Sequence, residues 1–193
     1  MEVLPLKSVR EEDKKVVGTN LYNLSKLYHL GFPVVNGYIV TPPQELISKI
    51  LFKFNRGGSY LRDNVENLKI EIQSLSVPEK IKNLSEKDSN KLWDNLTKKW
   101  AQEIASKIER GDLGSIYLTA QLVAFTGKIS TAFRGYFDEE KGHVVIYSDL
   151  GKLTFDQSTL VEELVISANR KLLLSQVYYF IVELGEIKFI KIV

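Results

Sequence analysis

Two histidines, His29 and His143, and no cysteine bound what the side chains of this chain can do. Without cysteine there is no disulfide, no thiolate nucleophile and no thiolate metal site. His29 stands late in a helical stretch, where a positive imidazolium suits the negative end of the helix dipole, and His143 opens a strand after a turn. Neither has a partner at metal-ligand spacing, so both read as structural or exposed. No G-x-S-x-G, Walker A or G-x-G-x-x-G pattern occurs. Gly57-Gly58-Ser59 and Gly111 to Gly114 come nearest to a phosphate cradle. A cradle needs a strand before it, a helix start after it and a lysine. Gly57-Gly58 has Arg56 before it and Tyr60-Leu61-Arg62 after it, so both stretches are read as turns. Asp138-Glu139-Glu140 is read as a solvated hairpin tip, because three adjacent side chains do not easily converge on one cation.

The bulk of the chain is ordinary for a globular protein: 193 residues, 44% hydrophobic and 26% charged. That length suits a single two-lobed domain spanning 1–193. Its 26 basic and 24 acidic residues leave a net charge of +2, which speaks against a dedicated nucleic-acid binder. The first fifteen residues hold no apolar run of signal-peptide length, and no stretch approaches the roughly 18–20 apolar residues that span a bilayer. The expectation is a soluble, cytoplasmic protein with neither nucleic acid nor membrane as partner.

Three zones must position whatever chemistry there is. In the first, 1–41, Leu21, Leu24, Leu27 and Leu30 lie three apart on a short helix over 20–30. Gly31 stops it, and Pro33 forces an extended entry to a strand over 34–41 that is interrupted at Asn36-Gly37. The second zone, 42–114, is helical. Pro42-Pro43 opens a helix over 44–54 with Leu46, Ile47, Ile50, Leu51 and Phe54 on its face, and a second runs around 68–75. Ser85 or Asp88 caps a third that carries Leu92, Leu96, Trp100, Ile104 and Ile108 every four residues, and Arg110 to Gly114 closes the zone. The third zone, 115–193, holds strands over 115–125, 129–137 and 143–148. A helix over 159–174 follows with a stripe of Leu160, Leu164, Ala168 and Leu172, then a terminal hairpin over 177–182 and 187–193 around Leu184-Gly185-Glu186. Helices packed on a mainly antiparallel C-terminal sheet make the fold class α+β.

Read as one block, VVGTNLYNLSKLYHLGFPVVNGYIVT resembles the opening of the nucleotide-binding domain of phosphoenolpyruvate synthase and pyruvate phosphate dikinase. That family shows a pattern like G-G-K-G-A-N-L, a short helix, then L-G-x-P-V-P-P-G-F-x-x-T. Gly18, Asn23, Leu24, Leu30, Gly31, Pro33, Val34, Gly37 and Thr41 fall on matching positions without a gap, and Tyr38 replaces a phenylalanine. Further along, Gln121-Leu122-Val123 resembles the family's adenine-facing hinge strand and Ser130 to Phe133 the strand after it. Val144 to Ile146 and Leu150-Gly151 resemble later pieces, and Val177 to Val193 the closing hairpin. The resemblance implies a truncated ATP-grasp-like domain, with Gly18, Thr19, Asn20, Gln121, Leu122, Val123 and Lys191 as the candidate nucleotide-binding residues.

The departures from the family pattern shape the functional expectation. The family's phosphate-binding lysine matches Asn20, and its neighbouring glycine matches Thr19. The segment bearing its phosphate-contacting arginine has no counterpart between Arg110 and Ser115. Its two magnesium ligands match Phe180 and Lys191, and Glu183 lies three residues past the first, an odd step that turns a strand side chain to the other face. Phosphoryl transfer rests on positioning and cationic neutralisation of phosphates, so these changes imply no catalytic residues and no metal site, with ATP the one cofactor left in play and magnesium set aside. The expectation is a non-catalytic relative that keeps an adenine-type pocket near Gln121 to Val123 or serves as a regulatory or interaction module with a protein partner. Two alternatives stand beside it. One is an ATP-dependent phosphotransferase subunit completed by a separately encoded phosphohistidine and pyruvate-binding partner. The other is a purely structural or interaction protein whose cleft is filled by Phe180 with Tyr178 or Tyr179.

Overall fold

In the computed structural model, which describes residues 1–112 and 117–193, the chain is α+β, as expected. The expected close of the second zone at Leu113-Gly114 and the start of a strand at Ser115 lie outside the described residues. In chain order the elements are β1 (Val3–Pro5), α1 (Lys14–Val17), α2 (Thr19–His29), β2 (Asn36–Val40), α3 (Gln44–Phe54), α4 (Gly58–Asp63), α5 (Val65–Gln73), α6 (Glu79–Lys82) and α7 (Ser89–Glu109). Then come β3 (Gln121–Phe125), β4 (Ile129–Asp138), β5 (His143–Leu150), α8 (Phe155–Leu172), β6 (Tyr178–Glu183) and β7 (Glu186–Ile192). Two compact units result: one of Met1–Val3 with Val40–Gln121, the other of Leu4–Ile39 with Leu122–Val193. Among the described residues no helix is long and apolar enough to cross a membrane.

The first unit is helical and centres on α7, which packs against α4, α5 and α6, with α3 against α5. The buried stripe of α7 is Trp93, Leu96, Trp100, Ala101, Ile104 and Ile108, while Lys98 and Lys99 face solvent. Leu92, expected in the stripe, sits at its margin, because a four-residue spacing walks around a helix of 3.6 residues per turn. The two indoles meet edge to face at 5.8 Å. Each satisfies its N–H on a backbone carbonyl, Trp93 on Leu75 at 2.6 Å and Trp100 on Thr119 at 2.9 Å. Asp88 does precede α7, but its side chain makes no cap; Ser85 Oγ instead accepts from the Asp88 N–H at 3.3 Å. Gly58 and Ser59, expected in a turn, are instead the first two residues of α4, and only Gly57, at φ 118°, stands just before the helix. Leu46, expected on the inner face of α3, is exposed, and Ile47 and Ile50 carry the burial. The strand expected from 115 begins only at Gln121, because 117–120 is held instead by α7: the Glu103 carboxylate accepts from the Thr119 N–H and hydroxyl.

The second unit is a four-stranded antiparallel sheet, order β5-β4-β6-β7, with α2 packed against β7 and α8 against β4 and β5. The end of α2 follows from Gly31 at φ 85°, which lets the Gly31 N–H reach Tyr28 O (3.0 Å) and the Phe32 N–H reach back to Leu27 O (3.0 Å). That pair of bonds is a Schellman stop. The chain then runs along the edge of β7, with Phe189 N–H donating to Pro33 O (2.8 Å) and Val35 N–H to Phe189 O (3.0 Å). Only after this does it enter β2.

Two expectations need correction here. Asn36-Gly37 does not interrupt a strand but begins β2, the middle strand of a three-stranded sheet ordered β1-β2-β3. Gly37 is needed inside the strand because a Cβ there would stand 2.3 Å from Val123 O on β3. The other concerns α8, which starts at Phe155 rather than 159 because Thr154 and Gln157 form a capping box, the Gln157 N–H donating to Thr154 Oγ1 at 3.2 Å and the Thr154 N–H to Gln157 Oε1 at 3.0 Å. Its buried stripe is Val161, Val165, Ala168 and Leu172, with Leu160 exposed. The stripe turns toward the valines because Gly135 on β4 leaves a gap they fill: a Cβ at Gly135 would meet Val165 at 3.3 Å and Val161 at 3.5 Å.

The two glycines of the opening motif are constrained differently, and substitution should separate them. Gly31→Ala meets no atom within 4 Å and carries only the cost of a positive φ. Gly37→Ala must push β2 and β3 apart. In urea unfolding, Gly31→Ala is expected to lose about 1 kcal/mol and Gly37→Ala about 3 kcal/mol; equal losses would contradict the close approach at Gly37.

Candidate functional site

The seven candidate residues fall in three places. Gly18, Thr19 and Asn20 are exposed where α1 gives way to α2. Gly18 has φ 86°, and its carbonyl accepts from the Tyr22 N–H at 3.1 Å to start the helix. Gln121, Leu122 and Val123 are half-buried in β3, where the Gln121 side-chain amide donates to Thr119 Oγ1 at 3.2 Å. Lys191 is exposed on β7 with its ammonium over the Tyr179 ring, 5.2 Å from the centroid.

The closing hairpin shows how the positions matched to metal ligands are used. Lys191 lies opposite Tyr179, while Phe180 lies opposite Phe189. Neighbouring residues of a strand point to opposite faces, so Phe180 and Lys191 do not share one. Phe180 points inward, stacked on Phe133 at 5.1 Å and 10° and packed on Phe189 at 4.5 Å. Tyr178 closes the cluster 5.5 Å from Phe189; its hydroxyl donates to Asn169 Oδ1 at 2.8 Å, and burial pushes its phenol well above the usual range. The outer face carries a transverse row, Lys191, Tyr179, Arg134 and Tyr147, in which cations and rings alternate across four strands. Arg134 covers Tyr147 at 5.5 Å, as Lys191 covers Tyr179.

Glu183, on the face opposite Phe180, is buried at 8% exposure despite its charge. Its carboxylate accepts from the Gly127 N–H and pairs with Lys188 at 2.9 Å. The Gly127 amide first, and the Lys188 ammonium second, hold its pKa below the usual carboxylate range, while Glu183 raises that of Lys188. The bond ties the loop between β3 and β4 to the terminal hairpin. The other acidic group singled out, Asp138 to Glu140, is a turn: Asp138 Oδ1 accepts from the Glu140 and Lys141 N–H groups, each at 3.1 Å. His29 is exposed against Tyr28, and His143 is exposed with Nδ1 3.3 Å from Lys141 O. Among the described residues no group of three or more His, Asp or Glu could hold a metal ion.

A cavity of about 250 Å³ lies elsewhere in the second unit, lined by Pro5, Leu6, Lys7, Tyr28, Val35, Asn36, Gly37, Tyr38 and Phe125. None of the seven candidates lines it. Tyr38 on β2 and Phe125 on β3 form its aromatic wall edge to face at 5.5 Å. By sequence Phe125 reads only as the end of the strand over 115–125, and nothing local marks Lys7. The signal that could have joined them is the recurrence of large rings on neighbouring strands, at Tyr38 and Phe125.

No protein-family model matches the chain, and comparison with curated proteins finds no significant match.

The Glu183 tie carries a pH dependence. A depressed carboxylate pKa contributes stability that is complete above the unfolded value of about 4.3 and is lost as pH falls through the folded value. For Lys188 the sign reverses, with loss above the unfolded value of about 10.4. Glu183→Gln is therefore expected to lower Tm by a constant amount between about pH 6 and 9, and by less at pH 3. A Tm difference as large at pH 3 as at pH 7 would show that the carboxylate charge is not what holds the loop.

Proposed function

We propose that the chain is a shortened relative of the ATP-grasp nucleotide-binding domain of phosphoenolpyruvate synthase and pyruvate phosphate dikinase, one whose phosphotransfer positions have been given over to packing. In this reading it acts as a binding or regulatory module and not as a phosphotransferase. The observation that carries it is the closing hairpin. One position matched to a metal ligand holds a phenyl ring in a four-ring core cluster, and the other a cation engaged with Tyr179 on the opposite face. Two groups on opposite faces of a sheet cannot clamp one ion, and an ammonium repels a divalent cation. The front motif supports the ancestry, because Gly31 and Gly37 each keep a backbone role that glycine alone fills without strain. At the phosphate-binding position Asn20 offers no charge, so a nucleotide would rest on β3 without help for its phosphates.

Titration with ATP and magnesium, read by calorimetry and by phosphate release, tests this. The expected result is a Kd weaker than about 1 mM and no phosphate above the buffer control. Lys191→Gln, at an exposed site, should leave both unchanged. Submillimolar binding with magnesium-dependent phosphate release would overturn the reading.

A further inference from the structure

We propose that the cavity beside Tyr38 is a binding site for a small monoanion with a planar apolar body of about one ring, a monocyclic aromatic carboxylate being the simplest case. The inference stands apart from the nucleotide reading, since it uses none of the residues matched to the family's site.

Size sets the body of the ligand. A dry cavity of about 150 Å³ takes up benzene, and drug-sized ligands fill upward of about 300 Å³. At about 250 Å³ this one has room for a ring and a small substituent. Its walls match such a body, with Pro5, Leu6 and Val35 aliphatic and Tyr28, Tyr38 and Phe125 aromatic. The edge-to-face contact of Tyr38 with Phe125 leaves ring surface for a third ring. Phe125 and Tyr28 are exposed at 46% and 37%, so the aromatic wall is reachable from solvent.

Charge sets the substituent. The nine wall residues include one cation, Lys7, and no carboxylate. Among the described residues the Lys7 ammonium, the Asn36 amide and the Tyr28 and Tyr38 hydroxyls make no hydrogen bond or ion pair with another side chain or carbonyl, so their donors remain free for a ligand. A wall whose residues include an ammonium, an amide and two phenols beside aliphatic and aromatic groups suits a carboxylate. Gly37 acts on the wall through the sheet: its missing side chain lets β2 and β3 approach, which sets the Tyr38 and Phe125 rings at their spacing.

Benzoate, its neutral isostere benzamide, and AMP are the probes, followed by amide and aromatic-ring NMR shifts on the intact chain. Benzoate is expected to saturate with a Kd of about 1 mM or tighter and to shift Lys7, Asn36, Tyr38 and Phe125 selectively. Benzamide should bind about tenfold more weakly. Lys7→Gln, at an exposed position, should weaken benzoate about tenfold and leave benzamide unchanged, with Tm as the control for folding. Phe125→Ala, a second variant from the apolar wall, should weaken both. The proposal fails if benzoate shifts do not saturate or spread beyond the cavity. It fails equally if benzamide binds as well as benzoate, or if AMP displaces benzoate from these residues.

Discussion

Four aromatic rings from three neighbouring strands, Phe133 on β4, Tyr178 and Phe180 on β6 and Phe189 on β7, meet on one face of the four-stranded sheet. Each offset or tilted ring pair adds about 0.5–1.5 kcal/mol beyond the apolar area it removes from water. Much of the second unit is arranged around that cluster. α2 packs on β7, Asn169 of α8 accepts from the Tyr178 hydroxyl, and Phe32 comes edge to face with Phe189 at 5.9 Å as the chain leaves α2. The Pro33 to Val35 segment is then held to the same residue by backbone bonds in both directions. The opening motif and the closing hairpin are thus joined at Phe189.

A cluster of this kind also decides what the sheet cannot do on that side. Polar ligation needs side chains aimed at solvent or at a hydrated cleft, and the inner face has been filled by rings. The outer face keeps charge, but in a row where each cation already covers an aromatic ring. The buried Glu183 carboxylate is likewise committed, to Gly127 and Lys188. Lys7, Asn36, Tyr28 and Tyr38, by contrast, line a different feature, the cavity at Tyr38 and Phe125, beside the close contact between Gly37 and Val123.

Much of the architecture was legible in the chain. The 3.6-residue pattern marked α2, α3, α5 and α7, and the turns at Gly31, Asp138 to Gly142 and Leu184-Gly185 fell where they were expected. The hairpin turn follows from local chemistry, with Leu184 at φ 52° and Gly185 at φ 85° in the two left-handed positions that a tight β-turn needs. The misreadings share a cause. The leucines, as the largest apolar groups, predict the stripe of α8, yet Val161 and Val165 turn inward because the gap at Gly135 is valine-sized. Glycine's local preference predicts a break at Asn36-Gly37, yet the glycine is there for a neighbour distant in sequence.

The closing hairpin separates the two levels most clearly. From the sequence alone came the two β-rich runs, the turn between them and the alternation that sends side chains to opposite faces, because each depends on residues within a few positions of one another. Which faces Phe180, Glu183 and Lys191 occupy was decided by pairing. A register shift in β7 between the partners of Tyr179 and Phe180 lets Phe189 and Ile192, three residues apart, both turn inward. Counting along a strand assumes an unbroken period of two, and a bulge breaks it at a point chosen by the partner strand and the core beneath. The cavity is a tertiary product for the same reason: Lys7, Tyr28, Tyr38 and Phe125 are far apart in the chain, and only the folded backbone brings them to one wall.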